Sequence, residues 1–303
     1  MLIRQQSQAA AILVVSLLAA GRTCATGAAP WAKIVVGTQS ESERLATVDL
    51  QRCLGQVTGE VPVAVPAATW RLRPIPAVVL GSPATNPVLA SIGAIPRNLG
   101  LEGYYLANAT VNNVPVVIAA GRSKAGCVNA VYGMLRELGY GFFLGSEAVP
   151  DVLPAALPSQ SPLVRRPVFG IRGVLPWYNF FDSPTTWDPV DHRAFVDQLV
   201  RSGANFVGFH TYDSEPFAAY EEGGQMKAGA RLLNTNSPTW GTHPLPCNGF
   251  AYGTERLFAG EAFGAATTQR GDDAIAAIRQ EQDVMRDAQD LCPASWAAHL
   301  HRL

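Results

Sequence analysis

Two short apolar runs near the middle of the chain each end in a cluster of polar and aromatic residues. The run Ile171–Leu175 leads into Trp177, Tyr178 and Asn179. The second run, Asn205–Phe209, leads into four residues: His210, Tyr212, Asp213 and Glu215. Aromatic rings stack on the apolar face of a sugar ring while an amide bonds its hydroxyls, as in concave, partly apolar ligand sites. We therefore interpret both clusters as candidate ligand-binding residues; packing in the core and a His–Asp pair that holds a loop are the structural alternatives.

An amphipathic helix is predicted between the two apolar runs, over Asp191–Ser202. Its inward-facing residues are expected to be Phe195, Val196, Leu199 and Val200. Gly203 follows as a helix stop. The pattern indicates a strand–helix–strand unit, whose chemistry gathers at the carboxyl ends of the strands. In a (β/α)-barrel that end carries the active site.

Two further charged residues are candidates for ligand contact. Arg172 lies at the start of the first run and suits a carboxylate or hydroxyls, with a structural ion pair as the alternative. Glu255 lies in a loop rich in Gly, Asn, Pro and Thr, where a solvated side chain is the alternative. Other acidic residues near the strand ends are Asp182, Asp188, Glu221 and Glu222.

The stretch before these runs alternates strand and helix and predicts a small α/β domain over residues 31–151. Strands are expected at Ala32–Gly37, Val61–Val65 and Ala77–Gly81, with a short helix from Ser82. Long helices are expected at Ser40–Thr58, with a capping box, and at Ser123–Leu138. A hairpin over Gly103–Ala120, turning at Asn112–Asn113, completes a mixed sheet with two helices. The Pro-rich residues 152–168 are predicted to be a linker, or a strand that covers the sheet.

Composition and the amino terminus indicate an exported protein. Residues 1–28 combine Arg4, the apolar run Ala9–Ala20 and small residues, as in a signal peptide. That run is short for a membrane span, so no stable membrane insertion is expected after cleavage, an uncleaved anchor being the alternative. The net charge is −1, with no basic block, so no nucleic-acid partner is expected.

The cysteines and the known cofactor motifs predict neither a metal nor a cofactor. Cys53 and Cys127 fall at apolar helix positions, where buried free thiols are the expected state. The spacing of the cysteines matches no zinc site, and whether Cys247 pairs with Cys292 stays open. No phosphate-binding or dinucleotide-binding glycine motif occurs.

Three segments carry a resemblance to known carbohydrate-active enzymes. They are Leu101–Leu106, Val116–Arg122 and Gly126–Leu144 (GCVNAVYGMLRELGYGFFL). They resemble the N-terminal α/β domain of β-N-acetylhexosaminidases (glycoside hydrolase family 20) and α-glucuronidases (family 67). Ile171–Phe217 is similar to the first strand, helix and second strand of the barrels that those domains accompany, and His210 and Asp213 resemble sugar-contacting residues there.

The resemblance implies an α/β accessory domain followed by an incomplete (β/α)8 TIM-type barrel over residues 169–303, with two or three β/α units. A whole barrel takes ~250 residues, and Phe169–Leu303 is about 135. A helix is predicted at Asp272–Leu291, but no strand run follows it. We expect a truncated chain without the catalytic carboxylates, whose intact form hydrolyses O-glycosidic bonds in amino-sugar or uronic-acid glycans. The alternative is a non-catalytic carbohydrate-binding or interaction module.

Overall fold

The computed structural model describes residues 30–158, 162–176, 187, 189–208, 220–223, 225–227, 279, 282–287 and 290. The predicted signal peptide lies outside these ranges. Within them, no helix is long and apolar enough to cross a membrane.

A six-stranded mixed sheet organises the first half of the chain, in the order β2-β1-β3-β5-β4-β8. The first four strands in that order run parallel, while β4 is antiparallel to both of its neighbours. The strand bounds are β1 Lys33–Val36, β2 Val63–Pro66, β3 Ala77–Gly81, β4 Tyr104–Val111, β5 Val114–Gly121, β6 Gly141–Phe143, β7 Ser146–Ala148 and β8 Leu163–Arg165. Strands β6 and β7 form a separate hairpin. The α/β class predicted from the sequence is confirmed.

Helices cover both faces of this sheet. Their bounds are α1 Glu41–Thr58, α2 Ala67–Leu72, α3 Pro87–Ala90 and α4 Lys124–Glu137. Neighbouring residues of one strand point to opposite faces, so Ile34 packs in the core beneath α1 and α4, and Val35 in the core beneath α2 and α3. The two long helices were predicted; α2 and α3 add a second layer.

Local signals account for the ends of the long helices and for the hairpin. The backbone N–H of Ser40 donates to Glu43 Oε2 at 2.8 Å, which completes the predicted capping box. The backbone N–H of Gly126 donates to Ser123 Oγ at 3.0 Å at the start of α4. The β4–β5 turn uses Asn112 and Asn113 at φ of 51° and 63°, as a tight hairpin turn requires.

Two local predictions differ from the structure. The short helix expected from Ser82 begins instead at Pro87, because the buried Asn86 caps it by accepting from Val88 N at 3.0 Å. The amide of Asn86 also donates to the Leu80 and Val35 carbonyls, a tertiary arrangement that local spacing does not reveal. The predicted linker contains β8, which pairs with β4 and thereby acts as the covering strand.

The second half begins with the predicted strand–helix–strand unit. Its elements are β9 Gly173–Val174, α5 Pro189–Arg201 and β10 Phe206–Val207, and a hairpin of β11 Tyr220–Glu222 and β12 Gln225–Lys227 follows. Strands β9 and β10 are parallel, with Gly173 opposite Phe206. Val196 and Leu199 of α5 are buried against Val207, as the sequence predicts. The residues described within 279–290 are helical.

Cys53 and Cys127 are buried and free, as predicted. Burial, with a smaller contribution from the Asp49 carboxylate, raises the pKa of Cys53 from 9.0 to about 12. Burial likewise raises the pKa of Cys127. Because the folded state holds these protons more tightly than the unfolded state, the stability that they contribute is complete below about pH 9 and is lost as the pH rises toward 12.

The thiols should be unreactive while the protein is folded. In a variant with serine at Cys24, Cys247 and Cys292, the shift at Cys53 lowers its thiolate fraction at pH 8 roughly a thousandfold, so alkylation should be slow until denaturant is added. Alkylation followed by mass spectrometry measures this. Rapid labelling of Cys53 in the folded protein would contradict the buried placement.

Gly121→Ala should destabilise the domain where β5 meets α4. A Cβ there would lie 2.2 Å from the backbone carbon of Gly126, so strand or helix must shift, at a cost of about 1–3 kcal/mol. Gly93→Ala is the matched control, since nothing lies within 4 Å of its Cβ position. Urea unfolding of both variants gives the difference, and equal midpoints would contradict the close approach.

Candidate functional site

The described residues contain one of the nine predicted site residues, Arg172. The others lie outside them: Trp177, Tyr178, Asn179, His210, Tyr212, Asp213, Glu215 and Glu255. What the structure does describe is the strand pair that precedes both predicted clusters and its attachment to the α/β domain.

The parallel pairing of β9 and β10 places the carboxyl ends of both strands at one edge of the strand pair. The backbone N–H of Asn205 donates to the Arg172 carbonyl at 2.7 Å, and that of Gly208 donates to the Val174 carbonyl at 2.8 Å. The carboxyl ends of β9 and β10 therefore lie side by side, and adjacent strands of a sheet are about 4.8 Å apart. The two predicted clusters begin within three residues of this edge, Trp177 after β9 and His210 after β10.

Arg172 lies at the opposite, amino end of β9 and bonds to protein groups. Its Nη1 donates to Glu102 Oε2 and to the Phe169 carbonyl, both at 2.8 Å. Its Nε donates to the Gly203 carbonyl at 3.0 Å. This is the geometry of the structural ion pair, the alternative to ligand binding. Arg172 thereby ties β9 to the loop that precedes β4.

Glu102 also holds the second strand of the pair. Its Oε1 accepts from Asn205 Nδ2 at 2.8 Å, and the Asn205 side chain accepts from the Arg172 backbone N–H, also at 2.8 Å. A small crevice beside them, lined by Asn129 and Val200 among others, has room for about one water molecule. This junction is too small to hold a sugar ring, so it positions the strands and is not itself the ligand site.

A second charge cluster, consisting of Asp49, Arg52, Glu147 and Arg201, attaches α5. Arg201 Nε donates to Asp49 Oδ2 at 2.8 Å, and its Nη1 donates to Glu147 Oε1 at 2.6 Å. Arg52 bonds the same two carboxylates, at 2.8 and 3.0 Å. Two cations therefore face two anions between α1, the β6–β7 hairpin and α5. Sequence analysis missed this cluster, because Arg201 and Asp49 are 152 positions apart and no local spacing signals the pair.

The surroundings of this cluster keep nearby groups in one ionisation state. Burial, followed by the Asp49 carboxylate, raises the pKa of Tyr132. Burial alone would lower the pKa of Arg201, but Asp49 and then Glu147 outweigh it, so this pKa rises. The guanidinium is therefore a permanent cation and the phenol stays neutral around pH 7. Groups whose ionisation state does not change near pH 7 suit a structural contact between α5 and the α/β domain, and they do not suit proton transfer.

The described residues supply no candidate metal centre. Among them, no group of three or more His, Cys, Asp or Glu residues is arranged to hold a metal ion. No protein-family model matches the sequence, and comparison with curated proteins found no significant relative. The resemblance to families 20 and 67 therefore remains a prediction.

Arg201→Gln should loosen the attachment of α5. The change removes a cation whose side chain is only 16% exposed and leaves Asp49, at 11% exposure, with a weaker neighbour, so we expect a loss of about 3 kcal/mol. Arg44→Gln is the matched control: its pair with Glu41 is more than half exposed and should contribute less than about 1 kcal/mol. Urea unfolding measures both, and a double-mutant cycle with Asp49→Asn isolates the pair. Equal effects of the two arginine substitutions would contradict a structural role for this cluster.

Proposed function

We propose that this chain is an exported carbohydrate-active protein of the glycoside hydrolase type. In its intact form it hydrolyses O-glycosidic bonds in amino-sugar or uronic-acid glycans and needs no cofactor. The α/β domain is the accessory domain, and β9, α5 and β10 are the first units of a (β/α)-barrel.

The observation that supports this proposal is the parallel β9–α5–β10 unit that follows a complete α/β domain. Parallel strands joined by a helix are the repeating unit of the barrel, whose active site lies at the carboxyl ends of its strands. The predicted clusters that begin at Trp177 and at His210 both follow such ends. In this proposal, the segments that follow β9 and β10, which α5 separates in sequence, both contribute to one site.

Five of the nine predicted residues have a role in this proposal. Trp177 and Tyr178 stack on a sugar ring and Asn179 bonds its hydroxyls. His210 and Asp213 also bond sugar hydroxyls and orient the catalytic groups. Hydrolysis itself needs two carboxyl groups roughly 5–10 Å apart across the scissile bond. In the barrels of families 20 and 67, which this chain resembles, later strands supply them.

A second candidate function is binding without catalysis. It is favoured by the bonding of Arg172, the one predicted site residue that the structure describes: its side chain bonds to Glu102 and to two backbone carbonyls and so offers no group to a substrate. In this case the aromatic residues after β9 bind a glycan, and no bond is broken.

Thermal unfolding with a panel of chitin-derived and uronate-bearing oligosaccharides tests the proposal. We expect a saturable stabilisation by at least one glycan, because a ligand that binds the folded state raises its stability. Trp177→Ala should weaken that binding at least tenfold, about 1.4 kcal/mol. Phe143→Ala, which removes an exposed aromatic ring from the β6–β7 hairpin, is the control and should leave the affinity unchanged.

Two outcomes separate the candidates. Release of reducing ends from the bound glycan indicates that this chain is itself a hydrolase, whereas binding without release indicates that this chain by itself acts as a binding module. If no glycan in the panel stabilises the protein, or if Trp177→Ala leaves the affinity unchanged, the proposed site is wrong.

A further inference from the structure

A basic surface lies at the amino end of β9, away from the predicted glycan site. It consists of five residues from three parts of the chain: Arg97, Arg122, Lys124, Arg165 and Arg166. We call these residues the basic edge. All five are exposed.

Strand pairing and side-chain bonds bring these residues together. Tyr104, the first residue of β4, lies opposite Gly121 of β5 on one side and Arg165 of β8 on the other. The ends of β5 and β8 are thus roughly 10 Å apart, twice the strand spacing. Arg166 Nη2 donates to Asn98 Oδ1 at 2.9 Å, which brings the segment after β8 against the loop that contains Arg97.

Residues that follow β5 also hold the loop that contains Arg97. Arg122 Nε donates to the Pro96 carbonyl at 2.7 Å, and its Nη2 donates to the Ile95 carbonyl at 3.0 Å. Ser123 Oγ donates to the Leu101 carbonyl. The basic edge therefore has a fixed arrangement. Side-chain bonds from residues after β5 and after β8 hold the loop that precedes β4.

The charge of this surface is unbalanced. Residues 95–125 and 162–172 contain six Lys or Arg residues but a single carboxylate, Glu102. Glu102 pairs with Arg172, which leaves the basic edge without a carboxylate partner among the described residues. The whole chain has a net charge of −1, so this excess of positive charge is local. A surface with several unpaired cations attracts an extended anion.

Apolar side chains flank the cations. Phe169 is 71% exposed, and Leu101, Val168 and Ile171 are exposed as well. Four of the five cations are arginines, whose planar guanidinium groups match carboxylates in a bidentate fashion. Cations beside an exposed aromatic ring suit a polymer that carries both carboxylates and ring faces.

We propose that the basic edge binds an acidic polysaccharide with repeated carboxylates and thereby holds the polymer on the accessory domain. The choice of a polysaccharide rests on the proposed function. The loop that contains Arg97 also contains Glu102, which bonds Arg172 just before β9, whereas the proposed sugar site follows β9; the two proposals therefore use opposite ends of this strand. The edge therefore retains polymer and breaks no bond. An anionic membrane is the competing partner, but four of these cations lie on strand ends and turns and only Lys124 lies on a helix, at its first residue, so they do not form the charged face of an amphipathic helix.

Binding of the full chain to polygalacturonate, with a neutral glucan as reference, tests the proposal. We expect saturable binding to polygalacturonate that weakens as salt is raised. The double variant Arg165→Gln/Arg166→Gln should lose at least tenfold in affinity, with an unchanged unfolding midpoint. The matched control is Arg71→Gln/Arg73→Gln, which removes two exposed arginines at the carboxyl end of α2, beside the opposite edge of the sheet, and should change the affinity less than twofold.

Three results would overturn the proposal. They are the absence of polygalacturonate binding, equal losses in both double variants, and tighter, Arg165- and Arg166-dependent binding to vesicles of an anionic phospholipid. Trp177→Ala separates this proposal from the proposed function. If oligosaccharide binding depends on Trp177 while polygalacturonate does not bind, only the basic edge fails. If polygalacturonate binds through the basic edge while no oligosaccharide binds through Trp177, only the predicted site fails.

Discussion

The attachment of β9, α5 and β10 to the α/β domain is the constraint on which the second half of the described structure depends. A two-stranded sheet is at best marginally stable by itself, and the small core of Val196, Leu199 and Val207 buries little apolar surface. The unit therefore needs the domain beside it. Two charge clusters supply that contact, one at Glu102 and one at Asp49 and Glu147.

These clusters act by specifying geometry more than by adding net stability. A partly buried ion pair loses hydration that its Coulomb attraction only partly returns, so replacing the whole pair costs less than removing one partner. Directional bonds from Arg172 and Arg201 fix where each strand and helix lies. Glu102 accepts from both Arg172 and Asn205, so one carboxylate sets the relative position of β9 and β10.

Local signals in the sequence predicted most of the elements but not the contacts between them. The capping box at Ser40, the turn at Asn112 and the helix stop at Gly203 are short-range features, and the structure contains all three. Asn86 and Arg201 act through partners that are distant in sequence, which no periodicity indicates. Arg172 illustrates the limit at the site: its type suits both ligand binding and a structural ion pair, and only its bonds to Glu102 and to backbone carbonyls distinguish the two.

The loop of residues 95–103 connects the two functional proposals. Its backbone accepts from Arg122 and Ser123, Asn98 accepts from Arg166, and Glu102 bonds to Arg172. The same loop therefore builds the basic edge and anchors β9. The two proposals therefore use opposite ends of β9. The basic edge is connected to its start through Glu102, and the proposed sugar site follows its carboxyl end, so the strand between them can take part in both.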